Sequence, residues 1–294
     1  MSELGSVRRI GIEGISLKHG GATHLEKTIP ASPIGVFDSG VGGLTVLVQL
    51  SQQLPHEDII YLADTARIPY GSKSTEEIIK INQEIVPFLI KKGAKLIIMA
   101  CGTSSAIAYP VIKDEYPIEM ISLIEPGAHA ALASSKNGRI GVIATAATVN
   151  SHAYQHKLKE LNSDVEVHAT SCPLFVPLIE GGFTETEETK KVAKEYLHPL
   201  LKEGIDTLIL GCTHYPHLSK VIQEICGHQV ILVDPAQEAV LVAQQMLKKA
   251  DTLKKSSKPA SHEYFTTTEP AQFEMIGSRL LGKPIIGTKQ VSLS

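Results

Sequence analysis

From Pro33 onward, short runs rich in Ile, Val and Leu alternate with longer stretches whose apolar residues recur every three or four positions. This alternation limits the fold more than any other feature of the chain. The short runs are IGVFD, DIIYLAD, KLIIMAC, EMISLIE, RIGVIAT, VEVHATS, TLILGC and VILVDP. Between them lie segments such as STEEIIKINQEIVPFLIKKG and TEETKKVAKEYLHPLLKEG, with charges set between the apolar positions as an amphipathic helix requires. Strand followed by helix, repeated, predicts an α/β protein whose parallel sheets are covered by helices on both faces.

An internal echo divides the chain. IGVFDSGVGGLTVL begins at Ile34 and IGVIATAATVNSHA at Ile140, each an apolar run opening into a small-residue loop before a helix. The offset of 106 is close to the 111 positions that separate Cys101, in MACGTSSA, from Cys212, in LGCTHYP. Two similar α/β domains explain both spacings, one of residues 33–126 with 236–294 and one of residues 127–235. AQEAVLVAQQMLKKA returns the chain to the first, DTLKKSSKPASHE is a polar loop, EYFTTT a further strand and PAQFEMIGSRLLG a helix. Residues 1–32 carry no clear period and are expected to be a poorly ordered extension.

Composition removes several function classes. A formal charge of −3 on 294 residues, with a pI of about 6.5, gives no basic face for nucleic acid. The longest apolar runs fall far short of the roughly 18 residues of a membrane span, and the N-terminal segment lacks the apolar core of a secretory signal. Four cysteines at unrelated spacings read as reduced thiols, so a cytoplasmic protein with a small-molecule partner is expected.

Ligands of parallel α/β sheets bind outside the carboxyl ends of the strands, where both Cys101 and Cys212 fall. A single cysteine there is more often packing than chemistry. Two in matching contexts can line opposite walls of one cleft, where a carbon acid loses a proton to one thiol and gains one from the other. That is racemisation without a cofactor.

Asp38 and Ser39, at a strand end, can orient a thiol or bind an ammonium, since SGVGG meets neither nucleotide-loop spacing. Asp64, Tyr70 and Gly71 lie in a turn-rich loop. Cys212, His214 and His217 invite a zinc reading, but no second ligand cluster accompanies them, and His214 makes a better acid or base partner for Cys212. Glu180, in CPLFVPLIEGG, is a further candidate carboxylate, equally readable as an exposed helix end. Cys172 and Cys226 read as structural.

These stretches, in this order, resemble the glutamate racemases of the aspartate/glutamate racemase family: GVFDSGVGGLTVL, YLADTARIPYGSKS, MACGTSSA, IEPGAHAAL, VIATAATVNSHAY, CPLFVPLIEGG and LILGCTHYP. The resemblance implies two α/β domains with the site between them, no pyridoxal phosphate and no metal. It implies interconversion of L- and D-glutamate that supplies peptidoglycan synthesis. A homodimer is a separate expectation, which no sequence motif carries. By motif, Cys101 and Cys212 are the proton donor/acceptors, Asp38 the partner of the first and His214 of the second. Ser39, Tyr70, Gly71, Gly102, Thr103, Thr213, Asp38 and His214 fall at substrate-binding positions, with Asp64 and Glu180 as supporting carboxylates.

The chain departs from the family at Gly102, where a Cys-Asn-Thr triplet is usual. A lost hydrogen bond to a charged substrate is worth roughly 1.5–3 kcal/mol, so Gly102→Asn is expected to raise kcat/KM about tenfold. The alternatives are a same-fold racemase or decarboxylase acting on another carbon acid such as aspartate, or a non-catalytic binding protein with a decayed site.

Overall fold

The computed structural model of the protein describes residues 29–256 and 259–293. The expectation for the N-terminal extension therefore falls, over residues 1–28, outside the described residues. The strands are β1 (Ile34–Asp38), β2 (Ile59–Ala63), β3 (Leu96–Met99), β4 (Glu119–Ile121), β5 (Arg139–Ala144), β6 (Glu166–Ser171), β7 (Thr207–Leu210), β8 (Ile231–Val233), β9 (His262–Thr266) and β10 (Lys289–Gln290). Among the described residues they form two parallel sheets, ordered β10-β9-β2-β1-β3-β4 and β6-β5-β7-β8.

The second sheet repeats the β2-β1-β3-β4 order of the first, so the internal echo is a topological repeat. β5 is the counterpart of β1, and β7 of β3. Only the short β10 carried no sequence signal; at two residues it is too brief to show a period.

Alternate residues of one strand enter different cores, because successive strand side chains point to opposite faces. Val36, Leu96 and Ile98 pack with the helices Leu44–Gln53, Pro235–Lys249 and Pro270–Leu281, whereas Phe37, Ile97 and Met99 pack with the helix Thr75–Lys91. In the second sheet Leu208 and Leu210 meet the helices Glu187–Lys202 and Ser219–Cys226, and Ile209 meets Ile124–Ser134 and Ala153–Leu161. Burying a Leu or Ile contributes about 1.5–3 kcal/mol, which is why continuous apolar runs are retained in strands covered on both sides. No helix among the described residues is long and apolar enough to cross a membrane.

The amino and carboxyl ends of the first sheet have different roles. At the amino end, buried Lys95 bonds Glu57 at 2.6 Å and donates to the carbonyls of Pro30 and Thr252 at 2.8 Å each, tying both flanking segments to the strands. At the carboxyl end the order β2-β1-β3 creates a switch point: the connections leave β1 and β3 toward opposite faces, and a crevice opens between them. Asp38 and Cys101 stand on its two sides.

Candidate active site

Cys101 follows β3 and Cys212 follows β7, so the topological repeat brings the two thiols to equivalent strand ends. Both are buried, at 5% and 7% exposure, with Asp38 at 1% and His214 at 5%. The strand ends of the two sheets face each other in direct contact. Thr45 Oγ1 donates to the Thr213 carbonyl at 3.2 Å, and the hydroxyls of Thr103 and Thr145 are 2.9 Å apart. A Cβ on Gly42 would lie 2.3 Å from His214 Nδ1, and one on Gly71 2.9 Å from Thr145 Cβ. Glycine at 42 and 71 is what lets these walls meet.

On the first wall, the Gly43 N–H donates to Asp38 Oδ2 at 2.7 Å, and Ser39 Oγ is 3.5 Å from Oδ1. Burial raises the Asp38 carboxyl, opposed by the His214 charge and by the backbone N–H donors. Burial, reinforced by the charge of Asp38, pushes the Cys101 thiol up to about 12. Cys101 is thus held as a protonated thiol.

The second wall is built differently. His214 Nδ1 lies 3.9 Å from Cys212 Sγ, and Nε2 lies 2.9 Å from Glu180 Oε1. Burial alone would lower the imidazole, but Cys212, Glu180 and the charge of Asp38 outweigh it and push it up to about 10. His214 is therefore cationic near neutrality, with its Nδ1 turned toward Cys212 Sγ. Tyr215 anchors the loop: it is fully buried, its hydroxyl donates to the Cys172 carbonyl at 3.0 Å, and its ring meets Phe175 edge-on. His217 is pushed down to about 4 by burial and by the His214 charge, so it remains neutral.

Asp64 is fully buried and accepts from Tyr70 Oη at 2.5 Å, Arg67 Nε at 2.7 Å and Thr267 Oγ1 at 2.9 Å. All three bonds organise the loop that carries Tyr70 and Gly71. Thr145 is absent from the residues that sequence reasoning selected, yet it touches Thr103 and Gly71 across the cleft. A signal existed: at the offset of 106, Thr145 is the counterpart of Ser39.

Packing sets an opposite expectation for Gly102. A Cβ there would stand 2.3 Å from the backbone carbonyl oxygen of Gly211 and 3.7 Å from Cys212 Cα. These atoms are backbone, which cannot swing aside as a side chain can. Gly102→Ala and Gly102→Asn are therefore expected to force the cysteine loops apart, at about 1–3 kcal/mol of overpacking, and to lower kcat/KM about tenfold or more. Steady-state kinetics with melting temperatures check this; an asparagine variant faster than the parent would show that the walls separate at little cost.

Residues 34–243 match the Asp/Glu/Hydantoin racemase family. A glutamate racemase of Geobacter metallireducens is 45% identical over 265 residues, covering 90% of this chain and 98% of its own. Among solved structures, a glutamate racemase isoform of Bacillus anthracis superposes with a TM-score of 0.86 at 39% identity, covering 89% of this chain and 98% of its own. A glutamate racemase of Francisella tularensis in complex with D-glutamate gives 0.85 at 39% identity, covering 90% and 99%.

Proposed function

The chain belongs to the Asp/Glu/Hydantoin racemase family, and from that premise we propose that it interconverts L- and D-glutamate by passing a proton between Cys101 and Cys212. The observation that carries this reading is the pair of buried thiols at equivalent strand ends of two facing sheets, one beside a carboxylate and the other beside an imidazolium. The protein is on this reading an isomerase, and its two walls differ in charge, a carboxylate beside Cys101 and an imidazolium beside Cys212.

The Cys212 thiolate takes the α-proton of one enantiomer, and the electron pair of the broken C–H bond remains on the substrate as a carbanion. Cys101 then delivers its proton to the opposite face. One proton has left the substrate and one has joined it; the enzyme ends with Cys212 protonated and Cys101 as thiolate. That state accepts the other enantiomer, so each half-reaction prepares the reverse one. Asp38 and His214 ease the change of charge on their respective sulfurs.

Ser39, Thr103 and Thr213 supply hydroxyls around the thiols for the polar ends of the amino acid. Tyr70 commits its hydroxyl to Asp64, so its contact with substrate runs through the backbone of Tyr70 and Gly71. Gly102 lies against the Gly211 carbonyl where the two cysteine loops meet. The reading takes 33–126 with 236–294 as one domain and 127–235 as the other, supported by the sheet membership of the strands and by the packing of Gly127 on Pro235 where the chain crosses. D-Glutamate supply to peptidoglycan from the cytoplasm completes it, on the strength of the family resemblance.

Racemisation in deuterium oxide tests the reading. Product should carry one solvent deuterium at Cα without added pyridoxal phosphate, and aspartate should turn over far more slowly than glutamate. Activity that appears only with pyridoxal phosphate, or product without deuterium, would sink the two-thiol mechanism.

A further inference from the structure

Glu180, which pairs with His214, ends the short helix Phe175–Glu180 in the second unit. The helix Pro270–Leu281 belongs to the first: Phe273 and Gly277 are buried, and Phe273 packs in the core of the first sheet. Leu280 of this helix nevertheless packs against cores of both units. Its neighbour Arg279 crosses as well, Nη2 donating to the backbone carbonyl of Glu180. A Cβ on Gly182 would lie 3.3 Å from Arg279 Nη1, so the guanidinium lies close against the turn that follows Glu180, where Gly182 has φ +84°. A cation at a helix C-terminus is favourably placed, since the last carbonyls have no partner within the helix.

We propose that Arg279 is a positioning residue, which caps the Glu180 helix from the opposite unit and so completes the Glu180–His214–Cys212 chain only when the two units are closed. The inference rests on the assignment of His214 as the partner of Cys212. Thr103–Thr145 and Gly102–Gly211 close the inside of the cleft; Arg279 closes the outside, on the element that carries the carboxylate. An open cleft would leave Glu180 without its anchor and His214 with a less well-placed acceptor.

The charged and titratable groups that bear on His214 are Cys212 and His217 from its own loop, Glu180 from the adjoining helix and Asp38 from the facing sheet. Of these, Arg279 holds only Glu180. Arg279→Ala, Arg279→Lys and Glu180→Gln should be compared through the pH dependence of kcat and kcat/KM for both enantiomers, together with melting temperature. Arg279 is exposed, so its variants are expected to fold. The alanine variant should lower kcat about fivefold and move the basic limb to lower pH, in the same direction as Glu180→Gln. Lysine, which can donate to the same carbonyl, should move the limb back toward the parental position. A parental pH profile in Arg279→Ala, with or without a lower melting temperature, overturns the inference while leaving the role of Glu180 intact. An unmoved limb in Glu180→Gln overturns both.

Discussion

Cys101→Ser and Cys212→Ser are each expected to lower racemisation by at least about a thousandfold while leaving the fold unchanged. A positioned general acid or base contributes about 10²–10⁴ in rate, and a serine hydroxyl is too weak an acid to replace a thiol. Each sulfur is used once per turnover, as base in one direction and acid in the other, so neither loss can be compensated by its partner. The substitution exchanges one small buried side chain for another, and circular dichroism and melting temperature should change little. The two variants should fail differently. With one thiol left, an α-hydrogen can still be removed and returned on the same face, so each variant should exchange deuterium into one enantiomer only, and not the same one. Near-parental turnover in either variant would make that cysteine a packing residue and remove the mechanism.

His214→Asn is expected to lower kcat by about a hundredfold or more, since it removes the cation 3.9 Å from Cys212 Sγ. The pH dependence gives the sign. His214 is raised to about 10, so the imidazolium of the parent enzyme is present below that value and is lost as the pH rises through it. The gap between parent and variant should be widest near neutrality and should narrow above about pH 10, where the parent loses the same charge. A gap constant across that range would mean that His214 acts by shape rather than by charge. Because the two enantiomers have equal free energy in water, kcat/KM must fall equally in both directions, and unequal losses would reveal an assay fault.

Much of the fold was legible because it is local. A run such as IGVFD, with β-branched and aromatic residues and no charge before Asp38, has few options but a strand buried on both faces, and STEEIIKINQEIVPFLIKKG carries its apolar stripe and its Ser74–Glu77 capping box within itself. The paired thiols were legible for a related reason. Strand ends in parallel sheets collect ligands, and an echo at nearly the same offset as the cysteines placed both thiols at equivalent ends. The same echo held the position of Thr145, unused because a lone threonine in a small-residue loop carries no chemistry until something stands opposite it.

Gly102 shows the limit from the other side. Sequence identifies the missing amide as a loss to be repaired, whereas packing sets the glycine against the carbonyl of Gly211, 2.3 Å from where a Cβ would stand. Asp64 could be read from sequence only as a carboxylate near the site; three hydrogen bonds turn it toward Tyr70, Arg67 and Thr267, the last more than two hundred residues away. Arg279 gave no signal, as one cation in an amphipathic helix near the C-terminus. By itself, then, the sequence determined the strands, the helices, the repeat and the chemical groups delivered to the strand ends, because periodicity and turn chemistry act over a few residues. Which of those groups touch, which cannot gain an atom and which are held from the opposite unit was decided only by the docking of the two sheets. That docking depends on contacts between residues distant in the chain, and no local pattern encodes a distance across a cleft.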